Sequence, residues 1–83
     1  MRTADIYLNI TSPEKSLTGL MVREVSFPGL DGRFTVLSGH APLIAALGEG
    51  DIIYSSGGKS SSMHVRSGFV EVCDNKVTAC VEV

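Results

Sequence analysis

Apolar and polar residues alternate along this chain in short runs, which is the pattern of half-buried β-strands. Near the start, Ile6, Leu8 and Ile10 stand at every second position, so this segment is expected to bury one face. No window of about 12 residues carries a clean helical stripe. The pattern therefore predicts an all-β chain.

The alternation changes phase in the second quarter of the chain. Leu20 and Val22 occupy even positions, whereas Val25 and Phe27 occupy odd ones. A shift of one residue moves every side chain to the other face of a strand. A bend or bulge near Arg23 and Glu24 would reconcile the two phases.

Glycine, proline and serine clusters separate the apolar runs and predict turns. These clusters fall at residues 12–15, 28–32, 38–42, 48–50 and 55–60. Eight or so short strands, with turns every 8 to 12 residues, are typical of a sandwich or barrel.

The last hairpin can be placed in register from the sequence. If Asp74 and Asn75 form a two-residue loop, Cys73 faces Lys76 and each outer pair follows. One face then carries only core-type side chains, which are Val70, Val72, Val77, Ala79 and Val81. Turn chemistry and apolar pattern agree here, so this register is predicted.

Composition restricts the class of protein. The chain has 83 residues, 43% of them apolar, and a net charge of −2, which suits one domain spanning residues 1–83. Mixed, mildly acidic charge gives no reason to expect nucleic acid. The longest apolar stretch, residues 41–47, is too short for a membrane helix. No signal peptide opens the chain, so the sequon at Asn9 is read as chance and a soluble, cytoplasmic protein is expected.

The two cysteines are expected to be reduced thiols. In the predicted register, Cys73 lies four residues from Phe69, the cross-strand partner of Cys80. That separation is roughly 13 Å, and a disulfide needs Cα atoms within ~7 Å. A metal site would have to recruit His40 or His64, and no CxxC or HxxxH spacing is present.

Two other chemical readings fail on pattern. Residues 57–60 (GGKS) resemble the end of a phosphate-binding loop, but Ile53 occupies the position of its first glycine and a strand follows. Ser38, His40 and Asp31 are close in sequence, yet no nucleophile-elbow pattern surrounds the serine. No catalytic residue, cofactor or metal is therefore predicted.

Three segments resemble one known family, the epsilon subunit of F-type ATP synthases. Residues 7–15 are similar to its first strand and turn, and residues 67–72 and 75–78 to its closing hairpin. Residues 27–44 (FPGLDGRFTVLSGHAPLI) resemble its signature, a P-G-x-x-G-x-F strand leading into P-G-H-A-P-L. The order and spacing fit from about residue 5 to residue 83.

The resemblance implies a flattened β-sandwich of about eight to ten short strands at the foot of the central stalk. In the family this non-catalytic domain packs against the gamma subunit, touches the membrane c-ring and helps couple proton or sodium flow to ATP synthesis. It lies at the cytoplasmic face of the bacterial plasma membrane, attached through the complex and not inserted. By position, Ser12, His40, Leu43 and Ala45 would face gamma, whereas ordinary core packing is expected for Ile44. The turn Asp31-Gly32-Arg33 would face the c-ring.

Departures from the family narrow these expectations. Arg33 stands where many relatives carry a carboxylate, and Ser38 where many carry proline. Full-length relatives continue into two C-terminal helices, which inhibit ATP hydrolysis in many bacteria and bind ATP in some. This chain stops at Val83, so coupling without helix-mediated inhibition or ATP binding is expected.

Two other classes of function remain as alternatives. A free-standing β-sandwich that binds a small ligand predicts an aromatic-lined pocket, although the chain has no Trp and two Tyr. A small metalloenzyme predicts stoichiometric zinc or iron.

Overall fold

The computed structural model describes residues 5–83. They form nine strands: β1 (Ile6–Thr11), β2 (Ser16–Val22), β3 (Glu24–Gly29), β4 (Gly32–Leu37), β5 (Leu43–Leu47), β6 (Gly50–Ser56), β7 (Lys59–Val65), β8 (Ser67–Cys73) and β9 (Lys76–Glu82). This part of the chain contains no helix, and hence none that could cross a membrane.

The strands form one sheet with the order β2-β1-β9-β8-β5-β3-β6-β7, and β4 pairs with the free side of β3. We call β2-β1-β9-β8-β5 the first half and β4-β3-β6-β7 the second half. All pairs are antiparallel except β1 with β9. A parallel pair needs a long connection, and here the rest of the domain supplies it.

The two halves meet along two seams. At one side, Gly29 of β3 pairs with Leu47 of β5. At the other side, the Arg23 amide donates to the Ser55 carbonyl at 2.8 Å, and the Ser56 hydroxyl donates to the Met21 carbonyl at 2.8 Å. The sheet thereby curls into a flattened sandwich measuring 38 × 22 × 19 Å. The prediction of an all-β sandwich of eight to ten short strands is confirmed.

A single hydrophobic cluster fills the space between the halves. Every strand contributes to it, and its buried members are Ile6, Leu8, Ile10, Val22, Val25, Phe27, Val36, Leu47, Ile52, Val65, Val70, Val72, Val77, Ala79 and Val81. Phe27 is its largest side chain and packs on Phe34 with ring centroids 5.5 Å apart. Burial of each larger side chain is worth about 1.5–3 kcal/mol, so the cluster is the main source of stability.

The predicted phase change occurs between two strands. Strand β2 ends at Val22, Arg23 forms a bend, and β3 begins at Glu24. Val22 and Val25 are both buried although they lie three positions apart. The bend at Arg23 lets the apolar side chains of β3 point into the core despite the change of phase, as the sequence pattern required.

The predicted final hairpin is also confirmed. Cys73 pairs with Lys76, Val72 with Val77, and Val70 with Ala79. Asp74 and Asn75 have φ values of 54° and 59°, as a type I′ turn requires. Both cysteines are free, as expected.

The glycines that resembled a phosphate-binding loop form a second tight hairpin turn. Gly57 and Gly58 lie between β6 and β7 with φ values of 60° and 81°. No helix follows them, because Lys59 already begins β7. The interpretation as a hairpin turn is therefore confirmed.

Candidate functional site

The two halves of the sandwich present different outer faces. Four of the large hydrophobic side chains with high exposure project from the first half, namely Tyr7, Met21, Ile44 and Phe69. On the second half the outward positions carry mostly hydroxyl and charged side chains, with Leu37 and Ile53 as apolar exceptions. The first half is therefore the better candidate for docking a partner protein.

Its most exposed apolar residues lie where β5 pairs with β8. Ala46 is directly opposite Phe69, and Ile44 follows on the same face two residues earlier. Ile44 is 75% exposed and Phe69 is 52% exposed. The sequence favoured a core position for Ile44, and this expectation was wrong because Leu43, Ala45 and Leu47 take the inward positions of β5.

Leu30 extends this apolar surface beyond the edge of β5. Its amide donates to the Ala46 carbonyl at 3.1 Å, which holds the β3–β4 turn against β5. Its side chain is 68% exposed. We call Leu30, Ile44, Ala46 and Phe69 the outer apolar patch.

An open groove borders the patch on either side. One, of about 320 Å³, lies between the β3–β4 turn, including Asp31 and Gly32, and the Ile44–Ala46 segment. The other, of about 430 Å³, lies between Phe69 and the segment Thr11–Pro13. Both grooves are open to the surface, so they shape a docking surface better than they would enclose a small ligand.

The residues predicted to face gamma do not lie together. Ser12 lines the larger groove beside the outer apolar patch. Leu43 and Ala45 are half-buried and pack against the core from the inward face of β5. His40 lies near the opposite end of the strands, beside the β8–β9 turn. Contact of these four residues with gamma stays a prediction.

The loop that carries His40 is held by a tight turn. The His40 amide donates to the Leu37 carbonyl at 3.1 Å, and His40 Nδ1 lies 2.7 Å from the Ala41 carbonyl oxygen. Ser38 Oγ accepts a hydrogen bond from Asn75 Nδ2 at 3.4 Å. Ser38 and His40 thus take partners other than each other, and the geometry of a serine nucleophile with its base is absent from this loop.

The turn predicted to face the c-ring has two exposed residues and one residue that is hydrogen-bonded to the second half. Asp31 and Gly32 are exposed. Arg33 instead lies along the second half, where Nε donates to Ser26 Oγ at 2.9 Å and Nη2 donates to the Asp51 carbonyl. The guanidinium is thus engaged with its own sheet.

A histidine between two carboxylates marks the end of the second half. His64 Nδ1 is 2.8 Å from Asp51 Oδ1, and Nε2 is 3.2 Å from Glu49 Oε2. The hydrogen bond to Asp51, followed by that to Glu49, raises the pKa of His64 above its ordinary value near 6.5. No sequence pattern pointed to this group, because Asp51 and His64 are brought together only by the pairing of β6 with β7, with Glu49 directly before β6.

Metal binding finds no support in the part of the chain that the structure describes. Across residues 5–83, no group of three or more His, Cys, Asp or Glu side chains is arranged to hold an ion.

The sequence of this chain is similar to a known protein family. The family described as the ATP synthase delta/epsilon chain, beta-sandwich domain, matches residues 5–83. The ATP synthase epsilon chain of Nitratidesulfovibrio vulgaris is 40% identical over 77 residues, covering 93% of this chain and 58% of the relative. That of Chlorobium limicola is 42% identical over 76 residues, covering 90% of this chain and 86% of the relative. The chain thus spans little more than half the length of the first relative and most of the second.

Solved structures of ATP synthases contain chains with the same fold. A chain of the Euglena gracilis mitochondrial ATP synthase, in a structure that includes the c-ring, superposes with a TM-score of 0.87 at 26% identity, covering 95% of this chain and 51% of that chain. A chain of the Tetrahymena thermophila central stalk and c-ring gives 0.80 at 12% identity, covering 100% and 67%, which supports the fold alone. The protein described by residues 5–83 belongs to the ATP synthase delta/epsilon-chain family and has the β-sandwich domain of that family.

Proposed function

We propose that this chain is a non-catalytic rotor subunit of a proton- or sodium-translocating ATP synthase. In this role it joins the gamma subunit to the c-ring and helps couple ion flow to ATP synthesis. The observation that carries the proposal is the outer apolar patch, which lies exposed on a sandwich whose relatives are epsilon chains. Membership of the complex would keep it peripheral at the cytoplasmic face of the bacterial membrane.

The patch has the properties of a protein-docking centre. Leu30, Ile44 and Phe69 are more than half exposed, and Ala46 lies between them. Burial of apolar surface against a partner contributes about 25 cal/mol per Å². Large apolar side chains near the middle of an interface usually carry most of the binding energy. We therefore assign the patch to gamma, with Ser12 at its rim. The resemblance to epsilon chains adds His40 to the proposed gamma contacts, at the other end of the strands.

The body that carries the patch is suited to transmitting torque. The patch residues on β5 and β8 are held in continuous ladders, and the Leu30 turn is bonded to β5. Little loop ordering is then required on docking, which lowers the entropic cost of binding. A connector between two rotating parts needs this stiffness.

Contact with the c-ring is assigned to the β3–β4 turn. Asp31 and Gly32 are exposed there, and Arg33 braces the turn through Ser26 and Asp51. In this arrangement Asp31 would present a negative charge to the c-ring, while the Arg33 guanidinium holds the turn against the second half.

The test is binding to the gamma subunit of the same organism. Phe69→Ser should weaken binding at least about ten-fold, since loss of a central aromatic anchor commonly costs more than 1 kcal/mol. Ile53→Ser is the matched control, because Ile53 is 40% exposed on the outer face of the second half. We expect that control to bind within about two-fold of the parent. Failure of the parent to form a complex, or equal loss in both variants, would overturn the proposal.

Helix-mediated inhibition and ATP binding are not part of the proposed role of residues 5–83. A thermal-shift titration with ATP checks this. A saturable rise in Tm at millimolar ATP or below would contradict it, because a ligand that binds the folded state raises Tm by mass action.

A further inference from the structure

Asn75 joins three segments that are far apart in sequence. Its side-chain Oδ1 accepts a hydrogen bond from the Gly39 amide at 2.7 Å, and its Nδ2 donates to Ser38 Oγ at 3.4 Å. Its backbone carbonyl accepts from the Tyr7 amide at 2.9 Å. The β8–β9 turn is therefore connected to the start of β1 and to the loop between β4 and β5.

The bond to Gly39 acts at the point where that loop has a conformational choice. The Leu37 carbonyl accepts from the His40 amide, and Gly39 has a φ of 83°, as expected for the third residue of a type II turn. Type I and type II turns differ mainly in the direction of the central peptide, here the one between Ser38 and Gly39. Oδ1 of Asn75 accepts from this peptide and so favours one of the two directions.

The backbone of Asn75 does not by itself explain why asparagine occupies the position. Its φ of 59° lies in the left-handed region, where glycine is tolerated at least as well. Asp74 precedes it with a φ of 54°, yet makes no hydrogen bond to the Ser38–His40 loop. Only the side chain of Asn75 reaches that loop from this turn.

We propose that Asn75 is a positioning residue, which holds the Ser38–Pro42 loop in the conformation that presents His40 to the gamma subunit. The inference rests on the proposed function, in which His40 faces gamma. Asn75 contacts the loop and not the partner. A pre-organised loop binds more tightly because its ordering cost is met in the free protein.

Asn75→Gly and Asp74→Gly form a matched pair for the test. Both substitutions keep a residue that favours the type I′ turn, so both variants should fold, which thermal unfolding checks. Asn75→Gly removes both side-chain bonds to the loop, whereas Asp74→Gly removes neither. Asn75→Asp is the partial rescue, because its carboxylate can still accept from the Gly39 amide.

The two readouts are hydrogen exchange of the Gly39 amide and affinity for gamma. Asn75→Gly should speed Gly39 exchange and weaken gamma binding by about five-fold each, the effect of losing roughly one net hydrogen bond. Asp74→Gly should leave both unchanged, and Asn75→Asp should restore most of the Gly39 protection.

Each other outcome overturns a separate claim. Unchanged Gly39 exchange in Asn75→Gly would show that the side chain does not hold the loop. Faster exchange with unchanged affinity would show that the loop conformation is irrelevant to binding. Failure of the parent protein to bind gamma would overturn the proposed function itself, while the exchange measurement would still report on the loop.

Discussion

Gly68 shows how closely strands approach in this small sandwich. It is the second residue of β8 and has a φ of 152°. A Cβ built on it would lie 2.9 Å from Val81 Cα and would overlap the Cys80 carbonyl oxygen. Backbone atoms cannot move aside as a flexible side chain can. Gly68→Ala should therefore destabilise the fold by about 3 kcal/mol, measured by urea unfolding.

Gly58→Ala is the control for backbone strain alone. Gly58 has a φ of 81°, but nothing lies within 4 Å of a Cβ built on it. Its substitution should cost about 1 kcal/mol. Equal costs at the two positions would show that the β8–β9 approach tolerates a methyl group.

His64 should give the fold a measurable pH dependence. Its two ring nitrogens contact Asp51 and Glu49, and a neutral imidazole can donate to only one of them. These bonds raise the His64 pKa above its ordinary value near 6.5. The added stability is therefore fully present below that value and is lost as the pH rises through the folded pKa.

His64→Gln measures that contribution. The parent should exceed this variant in unfolding free energy most at about pH 5.5, with the difference narrowing toward about pH 8.5. The effect should be small and weakened by salt, because all three side chains are exposed. A difference that grows with pH would contradict the assignment.

At the level of single residues, sequence predicted burial well only where polar neighbours marked the two faces. Val70 and Val72 flank Glu71, and their burial was correctly predicted. Residues 43–47 are all apolar, so nothing in the sequence separates inward Leu43 from outward Ile44. Their faces follow from pairing with β8, which a local pattern does not encode.

Among the elements, local hairpins were predictable and long-range pairs were not. The β8–β9 hairpin has turn residues that accept positive φ and an apolar face in matching phase. Strand β1, in contrast, lies parallel to β9 although some 65 residues separate them in the chain. No turn specifies such a pair, and only burial of the shared core selects it.

One substitution on each face of β5 can distinguish the inward face from the outward face. Leu43→Asp places a charge at a half-buried position packed on the core and should destabilise the fold by about 2 kcal/mol. Ile44→Asp places the same charge at a 75% exposed position opposite Glu71, and should cost no more than about 1 kcal/mol. Urea unfolding measures both.

Gamma binding gives the complementary result for this pair. Ile44→Asp should weaken the complex while the fold stays intact, because Ile44 belongs to the outer apolar patch. A stable Leu43→Asp variant with impaired binding would return Leu43 to the interface, as the family resemblance implies.

For the molecule as a whole, the separation of its outer faces is the property that sequence did not reveal. Apolar residues make up 43% of the chain, and most of the large ones enter one core. The most exposed strand residue, Ile44, lies with Phe69 on the first half, whereas Leu37 and Ile53 are exposed on the second half, which also carries His64 with its two carboxylates. Only the curl of the sheet assigns them to different surfaces.

That separation makes the response of gamma binding to salt informative. If docking occurs through the outer apolar patch, screening of surface charges should matter little. Raising NaCl from about 0.1 M to about 0.5 M should change the Kd less than about three-fold, and isothermal calorimetry should show a negative heat-capacity change. A steep loss of affinity with salt would instead place the contact on a charged surface. The outer face of the second half, which carries Arg33 and His64, would then be the first surface to test by mutation.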